Sequence, residues 1–330
     1  MKRILSRTAL IAVLVVLTSS AIPAIAQQTP PQQGGAQSAV PGAVLPQLYE
    51  RGGARLDSGD YTGAALDFSL FLVFNPTYSQ GYFARALSQI GLGDHTAAIT
   101  DLTHALDFAP ETSIRYTASV LGLRGQVYQE DGEFDLALDD YTSAIELDPT
   151  GDNYANRGFL LARILRFDGA LEDFDHAVEL LPDVPLLALA RANVYGQLHD
   201  NAAAAEEYLR FVSLTQADVR DGGTLALDGT PSLVPLTNGD VVLFNFEGTK
   251  GQLASIRAEA SSGDRVDPLL ILLDESGTPI AANDDTSNTD LSATIRRVEL
   301  PDNGTYTIML THALGGDTGD VLIAMLLQES

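Results

Sequence analysis

The 330-residue sequence predicts two folded parts in series: an α-α superhelix of about five helical hairpins, then a jelly-roll-like β-sandwich. Three observations predict it. Ala64, Ala98, Ala137, Ala170 and Ala204 recur at steps of 34, 39, 33 and 34 residues, a period that two helices and their turns fill. The helical period stops after Asp218, and Gly222-Gly223 punctuates the chain. Beyond it, short runs rich in Val, Ile, Leu and Thr alternate with turn signals such as Asn238-Gly239 and Asp302-Asn303-Gly304.

The chain opens on residues 1–26, which read as an export signal. Lys2, Arg3 and Arg7 form a basic end, Ala9–Leu17 an apolar run, and Ala24-Ile25-Ala26 a small-residue cleavage site. An uncleaved anchor is the competing reading. Cleavage makes the mature chain secreted or otherwise extracytoplasmic, extracellular or periplasmic, and not membrane-spanning. Residues 27–44, rich in Gln, Pro and Gly and without charge, read as a flexible linker. The whole chain carries a net charge of −25, and losing three basic residues with the signal makes it −28. That balance argues against nucleic acid, which needs clustered Lys and Arg. The absence of Cys excludes a disulfide framework, a thiolate metal site and a Cys nucleophile.

The hairpins are expected over residues 45–78, 79–117, 118–150, 151–184 and 185–218, with five extra residues around Glu111–Arg115 in a turn. In each, a small residue lies before the first turn: Gly52, Ala86, Gly125, Gly158 and Ala192. Small residues let the two helices approach, while side chains such as Tyr128, Phe134 and Tyr141 fill the space around them. Pro76, Pro110, Pro149 and Pro182 close four units, because Pro cannot continue a helix; Gln216 replaces it in the fifth. One hairpin cannot bury its apolar stripe alone, so the units must stack.

A second regularity pairs Arg51, Arg85, Arg124, Arg157 and Arg191 with an acid sixteen residues on, at Asp67, Asp101, Asp140, Asp173 and Glu207. The antiparallel helices bring these positions together, and they read as a structural ladder of ion pairs. The alternative, an arginine stripe binding an anionic ligand, requires guanidinium donors that the acids already engage.

The alanine and proline pattern over residues 45–218 resembles the tetratricopeptide repeat family. In such proteins ligands lie in the groove lined by the first helices, which the resemblance places at Tyr49, Phe83, Leu87, Gln126, Asn156, Phe159, Arg163 and Asn193. The subgroup that clamps C-terminal carboxylates uses a Lys where this chain has Tyr49, Phe83, Gly122, Ala155 and Leu189, so that function does not carry over. A protein or peptide segment is the implied partner.

Residues 219–330 supply candidate strands at 224–229, 240–247, 252–260, 268–274, 294–300, 304–312 and 319–327, seven or eight in all. "DPLLILLDESGTPIAANDD" and "LPDNGTYTIMLTH" resemble the bacterial prepeptidase C-terminal domain, an accessory module of secreted hydrolases with no catalysis of its own. Asp267, Asp284 and Asp285, with Asp290 nearby, read either as solvated turn acids or as a weak Ca²⁺ site. The stretch "NDDTSNTD" lacks the Gly that an EF-hand loop needs at its sixth position. No other cofactor is expected.

The sequence holds no H-E-x-x-H, G-x-S-x-G or Walker loop, and His104 and His176 fall at equivalent, helix-surface positions, so no enzyme is expected. The function expected is a secreted, non-enzymatic scaffold whose groove binds a protein segment. A carbohydrate- or cell-surface-binding module on a helical stalk is the alternative, weakened because this sandwich has no Trp and one Tyr, Tyr306. The fifth hairpin runs almost directly into the strands, so the apolar face beside Tyr208, Phe211 and Val212 is expected to be capped by the sandwich.

Overall fold

The computed structural model describes residues 44–215, 217–237, 239–261, 266–284, 292–313 and 318–329. Among the described residues ten helices precede nine strands, the α-then-β order expected. The chain divides into two compact units, one ending at Arg166 and the other running on from Phe167.

The first unit contains α1 (Val44–Asp57), α2 (Tyr61–Phe74), α3 (Ser79–Leu92), α4 (His95–Asp107), α5 (Ile114–Asp131), α6 (Phe134–Leu147) and α7 (Gly151–Arg163). The second begins with α8 (Phe167–Leu180), α9 (Pro185–Gln197) and α10 (Asn201–Leu214). The periodic Ala64, Ala98, Ala137, Ala170 and Ala204 are all at most 2 % exposed. The reason is steric: a Cβ built on Gly52 would stand 2.7 Å from the Phe68 ring, and one on Gly125 3.0 Å from that of Tyr141. The extra residues between the second and third hairpins do not all form a turn. Ile114 and Arg115 open α5, which at 18 residues is the longest of the ten helices.

One turn recurs inside the hairpins. Gly59, Gly93 and Gly132 take positive φ after α1, α3 and α5, and at the same repeat position Leu165 (φ 64°) and His199 (φ 62°) follow α7 and α9. The next residue caps the second helix where it is Asp: Asp60, Asp94 and Asp200 accept the N–H groups of Gly63, Ala97 and Ala203 at 3.0–3.1 Å. A side chain in the left-handed region costs about 1–2 kcal/mol, and glycine returns part of that as chain entropy. Leu165→Gly and His199→Gly are therefore each expected to stabilise the protein, by roughly 0.5–1 kcal/mol. Urea denaturation checks this; an unchanged or lower midpoint for both rejects the account.

After α10 come β1 (Asp218–Asp221), β2 (Ser232–Leu236), β3 (Asp240–Gly248), β4 (Leu253–Ala260), β5 (Pro268–Leu273), β6 (Pro279–Asn283), β7 (Ala293–Glu299), β8 (Gly304–His312) and β9 (Gly319–Gln328). They form two sheets, ordered β1-β3-β8-β5-β6 and β2-β9-β4-β7. Without β1 this is the strand order of a jelly roll, two four-stranded sheets facing each other. The apolar core between them draws Val242, Phe244, Leu270, Leu272, Ile308 and Leu310 from one sheet and Val234, Ile256, Ile295 and Ile323 from the other.

Four strand assignments change: one candidate is lost, and β1, β2 and β6 are strands where none was expected. Residues 224–229 are not a strand; Leu225 plugs the core from an extended loop, and Asp228 makes a single bridge to Leu326. Instead Asp218–Asp221 pairs in parallel with β3, from Asp218 opposite Asp240 to Asp221 opposite Leu243. The connector thus becomes a sheet edge. β2 contains Pro235, which an edge strand tolerates because it has one unpaired side.

A second core joins the last hairpin to the outer face of the five-stranded sheet. Leu189, Tyr208, Phe211 and Val212 cluster with Val241, Leu269, Ile271 and Leu273. All six residues of β5 are buried, with Leu269, Ile271 and Leu273 on the helices and Leu270 and Leu272 in the sandwich core. The terminal apolar face of the array is therefore covered by the sandwich, as its short connector predicts.

Candidate functional site

The expected ligand face is built on the first helix of each hairpin, and its chemistry depends on the arginines. Arg85 donates through Nε and Nη2 to the two oxygens of Asp101, both at 2.7 Å, and Arg124 does the same to Asp140 at 2.8 Å. Arg51 and Arg55 both bind Asp67. The carboxylates are buried: Asp67 0 %, Asp101 2 % and Asp140 6 % exposed. The hydrogen bond from Arg51 holds the Asp67 carboxyl below the usual carboxylate range, and Asp101 and Asp140 push the guanidinium groups of Arg85 and Arg124 up.

The third guanidinium nitrogen does something the sequence pattern did not announce. It reaches back to the preceding hairpin: Arg85 Nη1 to Ser69 Oγ at 3.2 Å, Arg124 Nη1 to Thr103 Oγ1 at 3.1 Å, Arg157 Nη1 to Thr142 Oγ1 at 3.3 Å. Arg191 Nη2 reaches Asp175 Oδ1 at 3.1 Å. Each acceptor stands two residues after its own hairpin's acid, so an Asp-x-Ser/Thr/Asp signal was present to be read. Each of these arginines thus joins one hairpin to the one before. Arg157 and Asp173 fall in different units, and Asp173 is buried.

The fifth pair is built differently. Arg191 meets Glu207 Oε1 at 3.0 Å, while Glu207 Oε2 and Arg191 Nε are buried without a hydrogen bond. Burial pushes the Glu207 carboxyl up despite the pull of Arg191 and Arg210. The two ends of the array should respond to acid with opposite signs. Asp67, depressed in the fold, contributes stability present above its unfolded pKa of about 3.9 and lost as pH falls through the lower folded value. Glu207, raised in the fold, carries a penalty at neutral pH that is relieved as pH falls towards about 4.3. Between pH 7 and pH 4.5, amide exchange is thus expected to slow in α10 relative to α2, after correction for intrinsic rates. Equal responses reject the assignment.

The groove candidates separate under the structure. Tyr49 is core, its ring edge-on to Phe68 and Tyr78 at 5.5 and 5.7 Å, and burial raises its hydroxyl pKa. Phe83 is fully buried and edge-on to Tyr116, while Asn156 and Phe159 are 6 % and 5 % exposed. These four do not line an open groove, a correction with a plain cause: burying the apolar faces of adjacent first helices takes the large side chains and their neighbours first. Arg163 lies over the Phe134 ring at 5.0 Å, and Asn193 accepts the Tyr208 hydroxyl at 2.7 Å. Leu87 packs partly into the core around Phe83. Gln126 is the candidate that keeps a free function: its Oε1 is buried without a hydrogen-bond partner, as is that of Gln89 on α3. Sequence reasoning passed over Gln89, and also Asp152 in the first turn of α7, whose carboxyl pKa burial raises.

In the sandwich, Asp274 of the D-x-x-G turn accepts from the Ser276 and Thr278 N–H groups at 2.9 Å and the Ser276 hydroxyl at 2.6 Å. Those bonds hold its carboxyl below the usual range. Its charge is spent on the turn. Asp267 anchors backbone, its carbonyl accepting the Ala313 N–H at 2.9 Å, and Asp284 is half-buried. Asp285 and Asp290 lie outside the described residues, among which no group of three or more acids or histidines is arranged to hold a metal. Tyr306 is 2 % exposed, stacked on Phe246, with its hydroxyl given to the Asp302 carbonyl.

Four of the histidines contact neighbouring groups in the fold. His95 Nδ1 is 2.5 Å from Asp131, His104 clusters with the stacked rings of Tyr82 and Phe108, His176 stands 3.9 Å from Glu179, and His312 Nε2 is 2.9 Å from the Thr237 carbonyl. His104 is half-buried and not the surface residue its position suggested.

Helical hairpins locked by buried ion pairs and ending on a jelly roll define a helical-repeat protein with an appended β-sandwich. Two of its hairpins are similar to tetratricopeptide repeats: residues 79–112 and 118–150 each match a tetratricopeptide repeat family model. No curated protein sequence matches the chain. Among solved structures, the crystal structure of MamA protein is similar at 16 % identity, over 53 % of this chain and 93 % of that one, with a TM-score of 0.47. MamA from Desulfovibrio magneticus RS-1 (residues 41 to the end) is similar at 16 % identity over 52 % and 94 %, TM-score 0.48. MamA MSR-1 is similar at 19 % identity over 52 % and 96 %, TM-score 0.44. No helix among the described residues is long and apolar enough to cross a membrane.

Proposed function

We propose that the protein is an exported, non-enzymatic scaffold whose first helices hold a segment of another protein. Tetratricopeptide repeats indicate protein–protein interaction in general. The observation that carries the finer reading is Gln126, a half-buried side chain of α5 whose Oε1 has no hydrogen-bond partner within the fold, on a helix whose Arg124 is already engaged by Asp140. Gln89 and Asp152 extend the acceptor character, which suits a segment presenting backbone or side-chain N–H groups and no acidic run. The export signal in residues 1–26 supports an extracytoplasmic setting. The sandwich, resembling the prepeptidase C-terminal domain, acts in this reading as an accessory module that covers the last hairpin.

Peptides selected by phage display on the immobilised protein test the reading. Gln126→Leu is expected to weaken the best binders about 3–10-fold, the worth of one neutral hydrogen bond. Selected peptides that bind Gln126→Leu and Asp152→Ala as well as the native chain would place the ligand elsewhere. The carbohydrate reading has lost its aromatic platform, because Tyr306 is inside the core.

A further inference from the structure

The second helices of the hairpins turn one face outward, and α2 differs from the rest there. The residue just before the ladder acid is Asp139 in α6, Glu172 in α8 and Glu206 in α10, but Leu66 in α2. Six residues after the acid stand Asp107, Glu146 and Glu179 in α4, α6 and α8, but Val73 in α2. Leu66 is 58 % exposed and Val73 69 %, with Leu70 (42 %) and Phe74 (45 %) on the same face at helical spacing. The only charged residue of Tyr61–Phe74 is Asp67, which is buried and held by Arg51 and Arg55. The result is an uncharged apolar stripe on an acidic chain.

We propose that this stripe is where two copies of the chain meet, α2 against α2 about a twofold axis, as a weak dimer. At a net charge of −25 two copies repel, and a neutral face is where they approach at least cost. The face is self-complementary, as a twofold contact requires. Its size sets the strength. A 14-residue helix is about 21 Å long, and two such stripes bury roughly 800 Å² against about 1,200–2,000 Å² for a stable interface. The dissociation constant is therefore expected above about 1 μM.

Sedimentation velocity on residues 27–330, from about 10 μM to 1 mM, is the test. A dimer fraction rising with concentration, and rising further with salt as repulsion is screened, is expected. Leu66→Asp, which supplies the acid that α6 carries, should hold the protein monomeric with its circular dichroism unchanged. Because the chain has no cysteine, Leu70→Cys should form a disulfide-linked dimer under mild oxidation and Glu172→Cys should not. That comparison still decides if Leu66→Asp unfolds. A chain monomeric at every concentration overturns the proposal and leaves the stripe to a different protein. A dimer that survives Leu66→Asp overturns it too, as does one that forms only when residues 27–43 are removed, since the chain's own segment would then be the occupant.

Discussion

Deleting residues 222–330 is expected to melt the last helical hairpin while leaving α3–α6 protected from amide exchange. Leu189, Tyr208, Phe211 and Val212 are each at most 9 % exposed, and their cover on one side is Val241, Leu269, Ile271 and Leu273 of the five-stranded sheet. Returning four such side chains to water costs up to about 1.5–3 kcal/mol each. The sum is comparable with the whole stability of a small domain, and a two-helix hairpin has little else to set against it. The opposing expectation is that loss of a tethered module leaves exchange in α9 and α10 unchanged. A milder version keeps the chain whole: Phe211→Ala should cost about 3 kcal/mol, since it opens a cavity between α10 and the sheet. A cost below about 1 kcal/mol would mean that the cluster collapses freely and is no true core.

The second large effect lies in the ladder. Asp140→Ala is expected to cost about 3 kcal/mol, because it leaves the partly buried Arg124 guanidinium without the carboxylate that takes two of its donors. Arg124→Leu in the same chain should recover much of that loss, since an apolar side chain replaces a stranded charge. The double-mutant cycle is expected to give a coupling of about 1–3 kcal/mol, read from denaturation midpoints at constant m. Additive losses would show that the pair meets without stabilising the fold. Thr103→Val, which removes only the backward hydrogen bond to Arg124, should cost about 1 kcal/mol.

The hairpin array was legible because its signals are local and repeated. A left-handed turn residue, an Asp cap, a buried Ala four residues on and a terminal Pro each act within a few residues of themselves, so their order along the chain is their order in space. The ion pairs were legible for the same reason, a fixed offset of sixteen residues. The groove was less so. Spacing shows that Tyr49, Phe83 and Phe159 face the neighbouring helix, but not how closely that helix approaches, and its approach turns a ligand surface into core.

For the sandwich, strands with clean alternation or strong apolar runs, such as β3, β5, β8 and β9, are written in the sequence. β1, β2 and β6 are short, polar or interrupted by Pro, and exist because a neighbouring strand offers them a ladder. Composition, the repeat register, the arginine–acid offset and the succession of helices then strands follow from the sequence by itself. Only the tertiary structure decided that β5 is covered on both faces, that the connector pairs with β3, and that Gln126 keeps a free acceptor. Those are contacts between residues far apart in the chain, and no local periodicity encodes which surface a second element will reach first.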